Sequence, residues 1–208
     1  MDIAAIAALA PVVPVLTIDR VADAVPLARA LVKGGLPVLE ITLRTRTAME
    51  ALGAIAREVP EAVVGAGTVL EVSQVEQIQR LGARFAVSPG CTPALVAGTK
   101  AARLPFLPGV QTVSEAMVLA EQGYRLLKFF PAEAAGGLTW LTAVGAPLAG
   151  LRFCPTGGIG ADTAQAYLDL ANVACVGGSW VAPRAAVAAQ DWSQVERLAA
   201  AASKYKRS

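Results

Sequence analysis

Short apolar, β-rich runs alternate with longer stretches whose apolar residues recur at helical spacing, from one end of the chain to the other. The runs Val12–Ile18, Val38–Arg44, Ala62–Val69, Phe85–Pro89, Phe106–Val110, Leu126–Pro131, Leu151–Thr156 and Val173–Trp180 predict eight strands. Between them Val21–Lys33, Ala48–Glu58, Val72–Leu81, Pro93–Ala102, Val113–Gln122, Ala135–Ala143 and Asp162–Leu170 predict helices. Start signals precede several of these: Asp19 before the first, Thr45 or Thr47 before the second, and capping boxes Ser73/Glu76 and Thr112/Glu115. Gly34-Gly35, Gly82 and Gly123 follow helix ends. Strict alternation demands parallel strands, and eight units in 208 residues predict an α/β protein, a single (β/α)8 TIM barrel filling one domain, residues 1–208. An open doubly wound sheet is the competing fold. It calls for a glycine fingerprint after the first strand, where Leu16-Thr17-Ile18-Asp19-Arg20 has none.

A composition 55% hydrophobic and 16% charged describes a globular chain rather than a disordered one. The net charge of +2, with its only basic cluster at Lys204, Lys206 and Arg207, excludes a nucleic-acid surface. The longest uncharged stretch, Ala134–Leu151, is broken by glycines and Pro147, and Ile3–Ile18 carries Pro11 and Pro14 after an acidic Asp2. Neither reads as a membrane span or a signal peptide. Cys91, Cys154 and Cys175 are odd in number, far apart and without metal-ligand spacing, so a reduced, cytoplasmic setting is expected.

The chain has no histidine, which removes the commonest general base and the commonest metal ligand. Amine chemistry then leads. Lys128 lies in the apolar run Leu126-Leu127-Lys128-Phe129-Phe130-Pro131, and burial of an ammonium favours the uncharged, nucleophilic amine. Strand side chains alternate between faces, so Leu126, Lys128 and Phe130 share one face, as do Val38, Glu40, Thr42 and Arg44. The outer face must meet an apolar helix layer, which turns both charged sets inward. Glu40 is the one carboxylate within the eight runs and Lys128 the one lysine of five. A buried ion pair seldom adds net stability over apolar residues, so the two point to chemistry, Lys128 as nucleophile and Glu40 as general acid and base.

Two glycine-rich turns mark the other end of a ligand. Thr156-Gly157-Gly158 closes the seventh predicted strand and Gly177-Gly178-Ser179 the eighth, where barrels often hold a phosphate on backbone N–H groups. Gly65-Ala66-Gly67-Thr68 supplies small residues at the third, explained equally by ligand space or by close packing.

Taken in order, Leu39-Glu40-Ile41-Thr42-Leu43-Arg44-Thr45, Val64-Gly65-Ala66-Gly67-Thr68-Val69, Ser88-Pro89-Gly90, Leu107-Pro108-Gly109-Val110, Lys128-Phe129-Phe130-Pro131-Ala132-Glu133, Arg152-Phe153-Cys154-Pro155-Thr156-Gly157-Gly158-Ile159 and Val176-Gly177-Gly178-Ser179-Trp180 resemble the 2-keto-3-deoxy-6-phosphogluconate aldolase family. The resemblance spans nearly the whole chain. It implies a class I, metal-independent and cofactor-free lyase in a homotrimeric barrel, whose partners are pyruvate and a phosphorylated keto-sugar acid. It also implies that Lys128 forms the Schiff base and Glu40 moves protons. Arg44, Thr68 and Pro89 would hold the pyruvate end, Phe130 would wall the site, and Thr156, Gly157, Gly158, Gly177, Gly178 and Ser179 would surround the phosphate. Family members also split 4-hydroxy-2-oxoglutarate. Three other readings remain open at this stage: an aldolase for the galactonate epimer, a phosphate-binding barrel isomerase or synthase, and a non-catalytic barrel that builds oligomers.

Overall fold

Parallel pairing runs through every strand contact of the computed structural model, which describes residues 1–208. The strands are β1 Val12–Leu16, β2 Val38–Thr42, β3 Val63–Gly67, β4 Ala86–Val87, β5 Phe106–Leu107, β6 Gly109–Val110, β7 Leu126–Phe129, β8 Arg152–Pro155 and β9 Val176–Gly178. The helices are α1 Ile3–Ala7, α2 Val21–Lys33, α3 Ala48–Glu58, α4 Val72–Arg80, α5 Pro93–Ala101, α6 Val113–Glu121, α7 Gly137–Val144, α8 Ala164–Leu168, α9 Arg184–Ala188 and α10 Trp192–Ala202. The eight runs read from the sequence all carry strand, each shorter than the run.

Six strands form one sheet in the order β5-β4-β3-β2-β1-β9, and β6-β7-β8 form a second. One residue separates the sheets on one side. Pro108, lacking an N–H for the ladder, divides the single strand expected over Phe106–Val110, while its carbonyl still accepts from the Lys128 amide at 2.9 Å. On the other side isolated parallel bridges, Phe153↔Val173 and Thr156↔Gly177, join β8 to the β9 segment.

Two apolar layers follow from the alternation. Residues such as Leu39, Ile41, Leu127 and Phe129 belong to a 50-residue cluster between strands and helices. Val13, Val38, Phe85, Val87, Leu107, Leu126 and Cys154 belong to an inner cluster of 11, with Ile6 and Ala7 of α1 packed among them. Val38 and Leu126 stand two residues before Glu40 and Lys128 on the same faces. The inner cluster is therefore a dry floor beneath both charges, each large apolar side chain there contributing about 1.5–3 kcal/mol.

Local details correct several expected helix starts. Arg20, not Asp19, occupies the N-cap position of α2 and makes no side-chain cap bond. The capping box of α4 is Glu71 with Gln74. Ser73 only donates its hydroxyl to Glu71, and Glu76 pairs with Arg80 instead. Thr47 occupies the N-cap position of α3 but makes no side-chain cap bond; it and Thr45 donate to the Ile18 carbonyl, at 2.6 and 2.7 Å, and tie the end of β2 to the end of β1. The Thr112/Glu115 box is present. The helix expected from Ala135 becomes a 3₁₀ turn at Glu133–Ala135 and then α7, separated by Gly136 at φ 105°. No helix is long and apolar enough to cross a membrane.

Candidate active site

Lys128 projects from β7 and Glu40 from β2, strands that are not neighbours, and the two meet across the interior. The Lys128 Nζ donates to Glu40 Oε1 at 3.2 Å, with the residues 5% and 3% exposed. The ammonium makes no other hydrogen bond to the protein, and the Phe130 ring is centred 5.4 Å from Nζ. Gly67 explains how a carboxylate fits there. A Cβ at that position would lie 2.1 Å from Glu40 Oε1, so only glycine leaves the space.

Above the pair, Arg44 donates from Nε to Thr68 Oγ1 at 3.3 Å. Thr68 sits at φ 57°, a left-handed conformation that is unusual for a β-branched residue and costs on the order of 1–3 kcal/mol. Thr42 donates to the Leu16 carbonyl at 2.8 Å and lies 3.2 Å from the Thr17 hydroxyl, which ties the tops of β1 and β2 together.

A cavity of about 660 Å³ opens beside these groups. Arg44, Phe130, Thr156 and both turns, Gly157-Gly158 and Gly177-Gly178-Ser179, line it. Gly157 and Gly158 have φ of 105° and 86°, and a Cβ on Gly177 would fall 2.3 Å from Thr156 Oγ1. Glu40 and Lys128 do not line the cavity directly; each is buried against the other. Thr68 reaches it through Arg44. Pro89, half-buried, adjoins Gly109, the residue in register with Lys128, and is not part of the cavity wall.

Five charged side chains line the cavity, Asp19, Arg20, Asp23, Arg44 and Arg184, and only Arg44 among them was singled out from sequence. Asp23, 4% exposed, accepts from Arg20 Nε at 2.9 Å and Nη2 at 2.6 Å, and from Gln190 Nε2 at 3.1 Å. The Arg20 hydrogen bond holds its carboxyl below the usual range, against the opposing effect of burial. Beneath the lysine, Cys154 is in register with Lys128. A hydrogen bond with Cys175 draws the Cys154 thiol below its ordinary value, with the Lys128 charge acting the same way, while Cys175 is pushed well above. The Tyr167 hydroxyl donates to Glu133, which packs against Gly158 and backs the first glycine turn. No group of three or more histidine, cysteine or acidic side chains is arranged to hold a metal ion.

This architecture is shared with known proteins. The family model described as KDPG and KHG aldolase matches residues 3–198. The chain is 49% identical over 189 residues to the KHG/KDPG aldolase of Escherichia coli K12, covering 91% of this chain and 89% of that one. Among solved structures, the KDPG aldolase of Legionella pneumophila, with pyruvate captured as a covalent carbinolamine, superposes with a TM-score of 0.94 at 45% identity. That match covers 97% of this chain and 98% of the other. The 2-keto-3-deoxy-6-phosphogluconate aldolase of Zymomonas mobilis ZM4, with 3-phosphoglycerate, gives a TM-score of 0.95 at 46% identity, covering 100% and 97%.

Proposed function

The chain belongs to the KDPG and KHG aldolase family, and we propose that it cleaves 2-dehydro-3-deoxy-6-phosphogluconate to pyruvate and D-glyceraldehyde 3-phosphate through a Schiff base on Lys128. The same chemistry splits 4-hydroxy-2-oxoglutarate to pyruvate and glyoxylate. The observation that carries this reading is the buried Lys128–Glu40 pair, 3.2 Å apart beside an arginine-lined cavity. An isomerase using the glycine turns alone has no need of that lysine.

The pair supplies each proton transfer. Glu40 takes a proton from the Lys128 ammonium, and the freed amine attacks the C2 carbonyl to give a carbinolamine. Glu40 returns that proton to the C2 oxygen and then carries a second one from the carbinolamine nitrogen to the same oxygen, which leaves as water, and the protonated imine remains. The carboxylate then accepts the C4 hydroxyl proton, directly or through one water. The C3–C4 electrons move into the iminium, so the aldehyde departs and an enamine stays on Lys128. Protonation at C3 by Glu40 and hydrolysis release pyruvate and restore the lysine. Arg44, always charged and fork-shaped, is the carboxylate clamp together with Thr68 and Pro89, and Phe130 walls the reacting carbons. Thr156, the glycine turns and Ser179 take the phosphate.

The reaction needs no metal or other cofactor in this scheme. The finer architecture proposed is one closed (β/α)8 barrel, supported by the single-residue gap at Pro108 and the β8–β9 bridges. A homotrimer is supported by Leu70, Val72, Val113, Met117 and Val118, large apolar side chains 39–59% exposed at the start of α4 and along α6.

Incubation with pyruvate and borohydride, followed by digestion and mass spectrometry, tests the proposal. The adduct is expected on Lys128. One found instead on Lys33, Lys100, Lys204 or Lys206 refutes it.

A further inference from the structure

Three guanidiniums line the cavity, and they are not equivalent. Arg44 is engaged by Thr68 near the lysine. Arg20 gives two hydrogen bonds to the buried Asp23, so its charge is matched where it stands. Arg184 differs. It is exposed, lines the cavity, and takes part in none of the five salt bridges of the molecule. It lies five residues after Ser179, past a turn closed by the Ala182 N–H on the Ser179 carbonyl at 3.1 Å. That places an unmatched cation beside the second glycine turn.

We propose that Arg184 is a specificity-determining residue that engages the phosphate of the six-carbon substrate and sets the preference for phosphorylated over unphosphorylated 2-oxo acids. This rests on the aldolase reading above and adds a residue to it. The chemistry of the two substrates supports the assignment. With the C2 carbon fixed at Lys128, the phosphate on C6 lies several bonds farther out than the C5 carboxylate of 4-hydroxy-2-oxoglutarate. Backbone N–H groups of the turns can bind either anion if it reaches them, but only the longer substrate extends to a side chain on the following segment. Asp19, exposed on the same lining, repels a dianion, which favours a matching cation beside it. The Asp23–Gln190 bond supports the same region from behind, because Gln190 follows α9 and anchors its end to α2.

Arg184→Gln keeps much of the side chain and removes the charge; Arg184→Lys keeps the charge without the fork. For Arg184→Gln, KM for the phosphorylated substrate should rise about tenfold or more with kcat nearly kept, as expected for loss of one charge-assisted contact. Arg184→Lys should recover part of the loss, and the wild-type advantage should shrink at high ionic strength. The KM for 4-hydroxy-2-oxoglutarate should move by no more than about twofold, because a group that meets only the phosphate leaves the shorter substrate's binding alone. Calorimetric titration with 6-phosphogluconate, which has a hydroxyl at C2 and forms no imine, should show the same affinity loss. Equal losses on both substrates, or unchanged 6-phosphogluconate affinity, overturn the role of Arg184. A wild type that traps no pyruvate with borohydride overturns the aldolase reading instead, and the 6-phosphogluconate titration still decides the anion contact.

Discussion

Glu40 carries every proton transfer in the proposed cycle, and exchanging one carboxylate oxygen for an amide nitrogen tests that role. Glu40→Gln keeps volume and can still accept from Lys128, but it cannot carry a proton. General acid–base steps contribute about 10²–10⁴ in rate, so C–C cleavage should fall by that order. Pyruvate methyl protons should exchange with solvent correspondingly slowly, while borohydride still traps pyruvate on Lys128, more slowly than in the wild type. Exchange at the wild-type rate, followed by NMR in deuterated solvent, would show that another group handles the proton. These two residues were legible from sequence because period-two alternation assigns a face to every strand side chain, and a lone charge on an inner face has few explanations. Asp23 and Arg184 were not. Asp23 sits in the first turn of a helix, reads as an ordinary helix-start acid, and finds Gln190 at a sequence separation of 167. The available signal was positional, since loops following barrel strands line the site, and it pointed to the Asp19–Arg20 and Pro183–Arg184 segments without choosing among their residues.

At the level of elements, α2 and the α9–α10 corner form one wall of the cavity, and the Arg20–Asp23–Gln190 cluster joins them. The Asp23 carboxyl lies below its ordinary value of 3.8 in the folded protein, chiefly through Arg20. A depressed folded value means that its contribution to stability is present above about pH 4 and is lost as pH falls through the folded value. Asp23→Asn should therefore lower the melting temperature at pH 7 and make the loss of stability below pH 4 less steep than in the wild type. Parallel melting curves whose difference is the same at pH 7 and pH 3 would remove the ionised carboxylate from the account. The Arg20 side chain is 58% exposed, so solvent screening keeps the effect modest. Element boundaries came less cleanly from the sequence than element types. α2 and α3 match their expected spans because amphipathic periodicity is strong over 11 to 13 residues. β4, β5 and β6 have two residues each, since Pro89, Pro105 and Pro108 withhold N–H groups around them. α1 and α9 escaped notice because five residues are too few to show a helical period, although α1 closes the floor of the interior; α10 is as amphipathic as α2, so its signal was present and went unread.

For the whole molecule, the distribution of apolar surface decides between a solitary chain and an assembly. Leu70 and Val72 at the start of α4, and Val113, Met117 and Val118 on α6, flank α5, whose Val96 and Ala97 line a groove of about 500 Å³ shared with Val118 and Leu119. Isolated exposed apolar residues are ordinary, but five large ones on α4, on α6 and just before α4, with Val118 lining the groove itself, form a face that water disfavours. A second copy of the chain is the occupant that the homotrimer proposal assigns. Val118→Glu places a charge in the middle of that face, where an unpaired carboxylate in a buried interface is costly, and its position on the outer helix layer leaves the Lys128–Glu40 pair untouched. Sedimentation equilibrium should give a three-chain mass for the wild type and a single-chain mass for the variant, with the far-ultraviolet circular dichroism unchanged. A wild type that sediments as one chain ends the trimer proposal. A trimer that survives Val118→Glu moves the interface off α6 and leaves the groove to some other use.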